Sequence, residues 1–190
     1  MPRIPKDIQH ISERDTKAFR LLWNTEHSPR HLLDLTEHRI KTLERQGLVD
    51  KCRDINGNEI IRCTVKGRDY IGKLPDFQER KPYVSSTATA HNCELARIYS
   101  TLSPDQQEHW RTERELADLY EQRMEELRYS DYDRWREYEN REWSSCDGAI
   151  VSDSGEVEQI IEVITNNYGD LEIKVICSEV LNAPIEFYKI

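Results

Sequence analysis

Glycine and proline are scarce, seven of each in 190 residues, too few for a collagen-like, low-complexity or disordered chain. The five cysteines, at 52, 63, 93, 146 and 177, form no C-x-x-C pair and leave one odd. That argues against a zinc site and against a secreted disulfide framework. Cys52 and Cys63 flank one expected hairpin and are read as reduced neighbours. No run of residues approaches the roughly 20 apolar positions of a membrane-spanning helix, and the start, Met1-Pro2-Arg3-Ile4-Pro5-Lys6, lacks the apolar core of a signal peptide. The expectation is an intracellular, cytoplasmic protein that does not engage membranes.

What the chain does have is an apolar content of 37%, enough for two small cores, and a net charge of −9 that is unevenly spread. Residues 1–82 carry 17 Lys and Arg against 13 Asp and Glu, a net +4, whereas residues 83–190 carry 10 against 23, a net −13. A basic front and an acidic back place any nucleic-acid contact in the front half.

In that front half, Ala18, Phe19, Leu21, Leu22 and Trp23 make the apolar side of a helix over Arg14 to Trp23. Ser28-Pro29 is a cap-and-start signal for a second helix through Leu35. Thr36 caps a third, with Ile40 and Leu43 inward and Gly47 ending it. A hairpin follows: Val49 to Arg53, a turn at Ile55-Asn56-Gly57-Asn58, and Ile60 to Thr64. Residues 66–71 close the unit as a helical segment. His10, His27 and His31 read as surface or cap residues.

Two prolines in the polar stretch from Leu74 to Ser86 set the expected domain boundary between residues 82 and 83. A helix from about Ala90 follows, with Leu95, Ile98, Tyr99 and Leu102 at helical spacing and His91 packed one turn before Leu95. Ser103-Pro104 starts another, striped by Trp110, Leu116, Leu119, Tyr120, Met124 and Leu127. At about 100° per residue, Glu113 falls inside the stripe and Glu115 on the far side. Glu113 is then either a third carboxylate of a site or a helix-start acid that bends out to solvent. The aromatics Tyr129, Tyr132, Trp135, Tyr138 and Trp143, set among arginines, suit either base stacking or packing of one helix side on a neighbour.

The chemistry concentrates in two strands, Asp147 to Asp153 and Glu158 to Thr165, joined through Ser154-Gly155. Both are rich in β-branched residues on both faces, as in strands covered on two sides. An even loop centred on Ser154-Gly155 puts Asp147 directly opposite Glu162, whereas an odd loop turns them to opposite faces. Facing carboxylates in a semi-buried site repel unless a cation sits between them, one holds a proton, or water enters. Beyond a break at residues 166–170, Leu171, Val175, Ile176 and Val180 mark a helix to about Asn182, and Ile185 to Ile190 alternates as a last strand.

Helices and a hairpin in front, then helix, two strands, helix and strand, make an α/β (α+β) chain. The front order, with Ile40 to Val49, the hairpin and Thr64-Val65-Lys66-Gly67, resembles a winged helix-turn-helix. That resemblance implies double-stranded DNA held by the third helix and wing, through His38, Arg39, Lys41, Thr42, Arg45, Arg53 and Arg62. The back order resembles a restriction-endonuclease-like core of the PD-(D/E)xK type. Taken together with Arg14-Asp15, His91 before Leu95, Trp110-Arg111-Thr112-Glu113, Asp147-Gly148, Glu162-Val163-Ile164-Thr165 and Lys174, the chain resembles the replication-relaxation and MobC-type mobilisation proteins of plasmids, phages and integrative elements.

The resemblance implies a metal-dependent DNA endonuclease, relaxase-like, that nicks DNA in replication or mobilisation. Asp147 and Glu162 would hold Mg²⁺ or Mn²⁺, Glu113 would assist, and Lys174 would sit near the attacked phosphate. Two departures stand against activity: Ile164 occupies the position where the nuclease motif has lysine, and Cys146 precedes the Asp where proline is usual. The alternatives are a catalytically inactive DNA-binding regulator or replication accessory, whose acidic half forms a homodimer or takes a protein partner, and a phage-encoded inhibitor of a host protein.

Overall fold

The computed structural model describes residues 10–84, 89–164 and 171–190, and the expected break at 166–170 lies outside them. It is a mixed α/β chain with two sheets that divides into two compact units, Met1–Thr101 and Leu102–Ile190. No helix among the described residues is long and apolar enough to cross a membrane.

In the first unit, α1 (Glu13–Thr25) starts on a capping box: Ser12 Oγ accepts from Asp15 N–H, and Ser12 N–H donates back to the Asp15 carboxylate at 2.8 Å. Its apolar side, Ala18, Phe19, Leu22 and Trp23, is buried. The expected second helix is not formed. Ser28 and Pro29 pair with Ile61 and Ile60 as part of β1 (His27–Pro29), and only a single 3-10 turn, Arg30–Leu32, follows. Proline suits this edge strand because its missing N–H costs the ladder nothing there.

Thr36 caps α2 (Glu37–Arg45), which buries Ile40 and Leu43 and ends at Gly47, where φ is 70°. Strands β2 (Val49–Arg53) and β3 (Glu59–Cys63) form the hairpin, and α3 (Val65–Ile71), capped by Thr64, follows. The sheet order is β1-β3-β2, antiparallel throughout. Cys52 lies opposite Ile60 and Cys63 opposite Val49, so the two thiols do not face each other across the ladder.

The boundary expected between 82 and 83 falls inside this unit. Tyr83 is buried and its N–H bonds to Trp23 O at 2.9 Å, and α4 (Thr89–Thr101) packs on α1 and β1. The prolines mark a surface connection within the unit, because the helix beyond them carries Leu95, Ala96, Ile98 and Tyr99 into the first core. His27, expected at the surface, is buried here too. Its ring Nδ1 lies 3.1 Å from Asn92 Nδ2, His91 Nδ1 lies 3.3 Å from Asn92 Oδ1, and Glu26 pairs with Arg68 at 2.8 Å.

In the second unit, the helix expected to run on from Ser103-Pro104 is broken in two by a strand. α5 (Pro104–Glu108) ends at His109, β4 (Trp110–Thr112) enters the sheet, and α6 (Glu113–Ser130) then begins, followed by α7 (Tyr132–Tyr138). Next come β5 (Gly148–Val151), β6 (Val157–Ile164), α8 (Leu171–Leu181) and β7 (Ile185–Lys189). The sheet order is β4-β5-β6-β7, with β6 and β7 parallel across the α8 crossover. Leu116 and Tyr120 of α6 and Ile176, Cys177 and Val180 of α8 share a core with Ala149, Val151 and Ile160 of the sheet.

The aromatic run divides. Trp143 stacks on Tyr120 with centroids 3.6 Å apart, Tyr138 is buried, and Tyr132 stacks on Trp135 while Tyr129 stays exposed.

Candidate functional site

The parity of the β5–β6 hairpin decides whether two acids meet, and the outcome has two parts. The tip is odd: Ser152 N–H bonds to Glu156 O (2.8 Å) and Gly155 N–H to Ser152 O (2.9 Å), leaving Asp153, Ser154 and Gly155 as the loop, with Gly155 at φ 85°. Taken alone, that loop would turn Asp147 and Glu162 to opposite faces. The register then shifts between Ile150 and Val151, from Val151↔Val157 to Ile150↔Gln159, so that Glu158 is a surplus residue on β6. Below this bulge the pairs are Ala149↔Ile160 and Gly148↔Ile161, and one further step sets Asp147 opposite Glu162. By alternation both lie on the sheet side that carries Ala149 and Ile160, toward α6 and α8.

Both acids are buried, Asp147 at 5% exposure and Glu162 at 0%. Each is tied to the other's strand. Asp147 N–H donates to Glu162 Oε2 at 3.0 Å, and Val163 N–H donates to Asp147 Oδ2 at 2.7 Å. The cation that such a pair demands is a side chain: Lys174 of α8, itself 7% exposed, places Nζ 3.1 Å from Glu162 Oε1 and also donates to Ser145 O. Ser145 Oγ in turn donates to Glu113 O at 2.8 Å, so the first residue of α6 is fastened at the edge of the cluster by its backbone.

Of the four residues expected at a catalytic site, Asp147, Glu162 and Lys174 thus converge, and Glu113 adjoins them through its carbonyl. Glu113 is half-buried. Glu115, expected on the far side of α6, is the more buried of the two, because it closes the capping box and accepts from Thr112 N–H at 2.8 Å. Helical periodicity misplaces it because the first turn of a helix has N–H groups to satisfy, and these draw an acid inward whatever its angle. Ser145 was not legible: a serine two residues before an Asp carries no sequence signal for a strap between strand and helix.

Cys146 and Cys177 lie beside this cluster in the same core, and Cys146 Sγ is 3.9 Å from Lys174 O. A hydrogen bond with Cys177, then burial, pushes the Cys146 thiol above the usual range. Trp110, fully buried, lies against Gly148. A Cβ built on Gly148 would fall 2.1 Å from its ring, so that position admits no side chain.

Two carboxylates from adjacent strands are the hard oxygen donors that Mg²⁺ or Mn²⁺ takes. As arranged they do not fit such an ion: both Glu162 oxygens and Asp147 Oδ2 already accept hydrogen bonds, and the Lys174 ammonium holds the cation position. Among the described residues, no group of three or more His, Cys, Asp or Glu side chains is arranged to hold a metal.

On the first unit, α2 turns His38, Lys41 and Arg45 to solvent, with Thr42 half-buried and its Oγ1 bonded to His38 O. Arg39 is committed elsewhere. Its guanidinium grips Asp15 at 2.7 and 2.9 Å and also donates to His10 O, so it locks α2 to the start of α1 and is withdrawn from the exposed set. Burial raises the Asp15 pKa, but the bonds from Arg39 and Ser12 outweigh it and hold the carboxyl below its usual range. Arg53 donates to Gly57 O within the hairpin, and Arg62 pairs across the strands with Asp50 at 2.9 Å, both still exposed. Comparison of the chain with protein-family models, curated proteins and solved structures gives no match.

Proposed function

We propose that the chain is a duplex-DNA-binding protein of the replication-relaxation or MobC-type kind, with a winged helix as its first unit and a restriction-endonuclease-like core, closed and non-cleaving, as its second. The observation that carries it is α2. Its apolar side, Ile40 and Leu43, is spent on the core, and its other side presents His38, Lys41 and Arg45 beside a β1-β3-β2 sheet whose hairpin adds Arg53 and Arg62. A helix of that kind enters a major groove while the hairpin meets phosphates.

The second unit supports the nuclease-like half by its order, two antiparallel strands followed by a helix crossover to a parallel strand, and by its Asp-Glu-Lys meeting point. The Lys174–Glu162 pair favours the non-cleaving form, since the ammonium fills the place from which a metal would act. The chemistry left to the cluster is structural: it ties β5, β6 and α8 together.

Fluorescence anisotropy with a 30-base-pair random duplex, repeated across a salt series, tests the binding. Affinity should fall steeply with salt, and Lys41→Ala and Arg45→Ala should each flatten the log–log slope by about one. An affinity indifferent to salt would remove the reading. Supercoiled plasmid should stay closed in Mg²⁺ and in Mn²⁺; nicks that vanish in Asp147→Ala would show the core to be active.

A further inference from the structure

Where α1 turns into β1, the first unit buries a chain of polar side chains drawn from separate elements. The turn is made at Glu26, whose φ of 60° is rare for a residue other than glycine, and Cys63 N–H holds it by donating to Glu26 O at 2.9 Å. His27 of β1 follows, and Asn92 of α4, wholly buried, bridges the two. Asn92 Nδ2 donates to Glu26 Oε2 at 3.4 Å and lies 3.1 Å from His27 Nδ1, while Asn92 Oδ1 lies 3.3 Å from His91 Nδ1. Arg68 of α3 holds the other Glu26 oxygen at 2.8 Å.

These contacts admit one arrangement of protons. A carboxylate oxygen only accepts, so the Asn92 amide turns its nitrogen, not its oxygen, toward Glu26. That nitrogen has only hydrogens to offer, so His27 Nδ1 carries a lone pair, its proton sits on Nε2 and the ring is neutral. The Asn92 oxygen then accepts from His91 Nδ1–H.

We propose that His27, Asn92 and His91 form an acid-sensitive latch, in which a second proton on the His27 ring, at Nδ1, releases the start of α4 from β1. The added N–H meets the Asn92 nitrogen, donor against donor. Turning the amide over gives no escape, because Asn92 Oδ1 would then face the Glu26 carboxylate and Asn92 Nδ2 would face His91 Nδ1–H. A proton added to His91 at Nε2 leaves all of these bonds in place, so the sensitivity belongs to His27. Its surroundings act in the same direction. Burial of the ring lowers the His27 pKa from its usual 6.5; Glu26 pulls it up, Arg62, opposite on β3, and Arg68 push it down, and the balance stays low. The latch is therefore fully closed above the unfolded value of about 6.5 and is lost as pH falls through the lower folded one.

The test uses the full chain and two variants. His27→Asn keeps an acceptor near the place of Nδ1 and has no proton to gain; His91→Asn keeps a donor and removes the other titrating ring. In the unaltered chain, nitrogen NMR shifts should show His27 protonated on Nε2 alone near pH ~7.5, with a midpoint below about 6.5. Hydrogen exchange of the peptide over residues 90–99, corrected for the intrinsic rate at each pH, should lose about tenfold in protection between about pH 7.5 and about pH 5. His27→Asn should keep its protection over that range, and His91→Asn should lose it as the unaltered chain does. Protection that survives acid in the unaltered chain, or that falls alike in His27→Asn, refutes the latch, and a loss abolished by His91→Asn refutes it by moving the sensor to the other ring. If His27→Asn does not fold, the unaltered chain still decides: a His27 proton on Nδ1 near pH ~7.5, or a midpoint at or above about 6.5, overturns the proposal.

Discussion

Lys174→Met removes the ammonium from a fully buried carboxylate while keeping most of the side-chain volume. Glu162 has 0% exposure and receives Lys174 Nζ at 3.1 Å as well as Asp147 N–H at 3.0 Å, so the variant takes the pairing cation from a buried carboxylate. Breaking such a pair from one side costs about 3–5 kcal/mol, far above the ~1 kcal/mol ceiling of an exposed pair. At a urea slope of about 1.5 kcal/mol/M, the midpoint of the second unit should fall by roughly 2–3 M. Adding Glu162→Gln should restore more than half of the loss, because glutamine keeps an acceptor for Asp147 N–H and carries no charge to strand. Urea titrations followed by far-ultraviolet circular dichroism on the two variants and the unaltered chain measure this. A loss under about 1 kcal/mol in Lys174→Met, or no recovery in the double variant, would refute the view that the lysine neutralises the acids.

Gly148→Ala should destabilise the second unit by about 1–3 kcal/mol, since its Cβ meets the buried Trp110 ring at 2.1 Å and neither sheet nor ring has room to yield; thermal melts report it. The depressed pKa of Asp15 makes a signed pH prediction. Its contribution is complete above the unfolded carboxyl pKa of about 3.9 and is lost as pH falls through the lower folded value, so an acid titration of the first unit should lose this component in Asp15→Asn. His109 behaves in the opposite sense. Its bond to Asp153 at 2.9 Å, then that to Asp105 O, raise its pKa, so the clasp is fully present below the unfolded value of about 6.5 and lost as pH rises through the folded one. Asp153→Asn should lower the His109 midpoint in an NMR titration.

How far the sequence carried is clearest at the Asp147–Glu162 pair. Their opposition was legible as a parity question, and the answer came from two offsetting irregularities, an odd turn and a surplus Glu158, neither of which has a composition cue. The elements with local signals were legible as well: Thr36 as a cap, Gly47 as a stop, and Ile40 and Leu43 as an inward pair. Ser28-Pro29 misled because a cap-and-proline signal is identical at the start of a helix and at an edge strand, and only pairing with Ile60 and Ile61 separates the two. The strand at Trp110 was missed for a related reason: three residues are too short for periodicity to register.

The chain by itself determined the Thr36-capped helix, the two hairpins and which half is basic, because caps, turn residues and apolar spacing act over a few residues. Only the tertiary structure decided that the charge between two acids is answered by a lysine from a helix beyond them in sequence. It likewise decided that Arg39 serves Asp15 and that α4 belongs with the first unit. Each of these depends on distances between residues far apart along the chain, and local sequence carries no record of them.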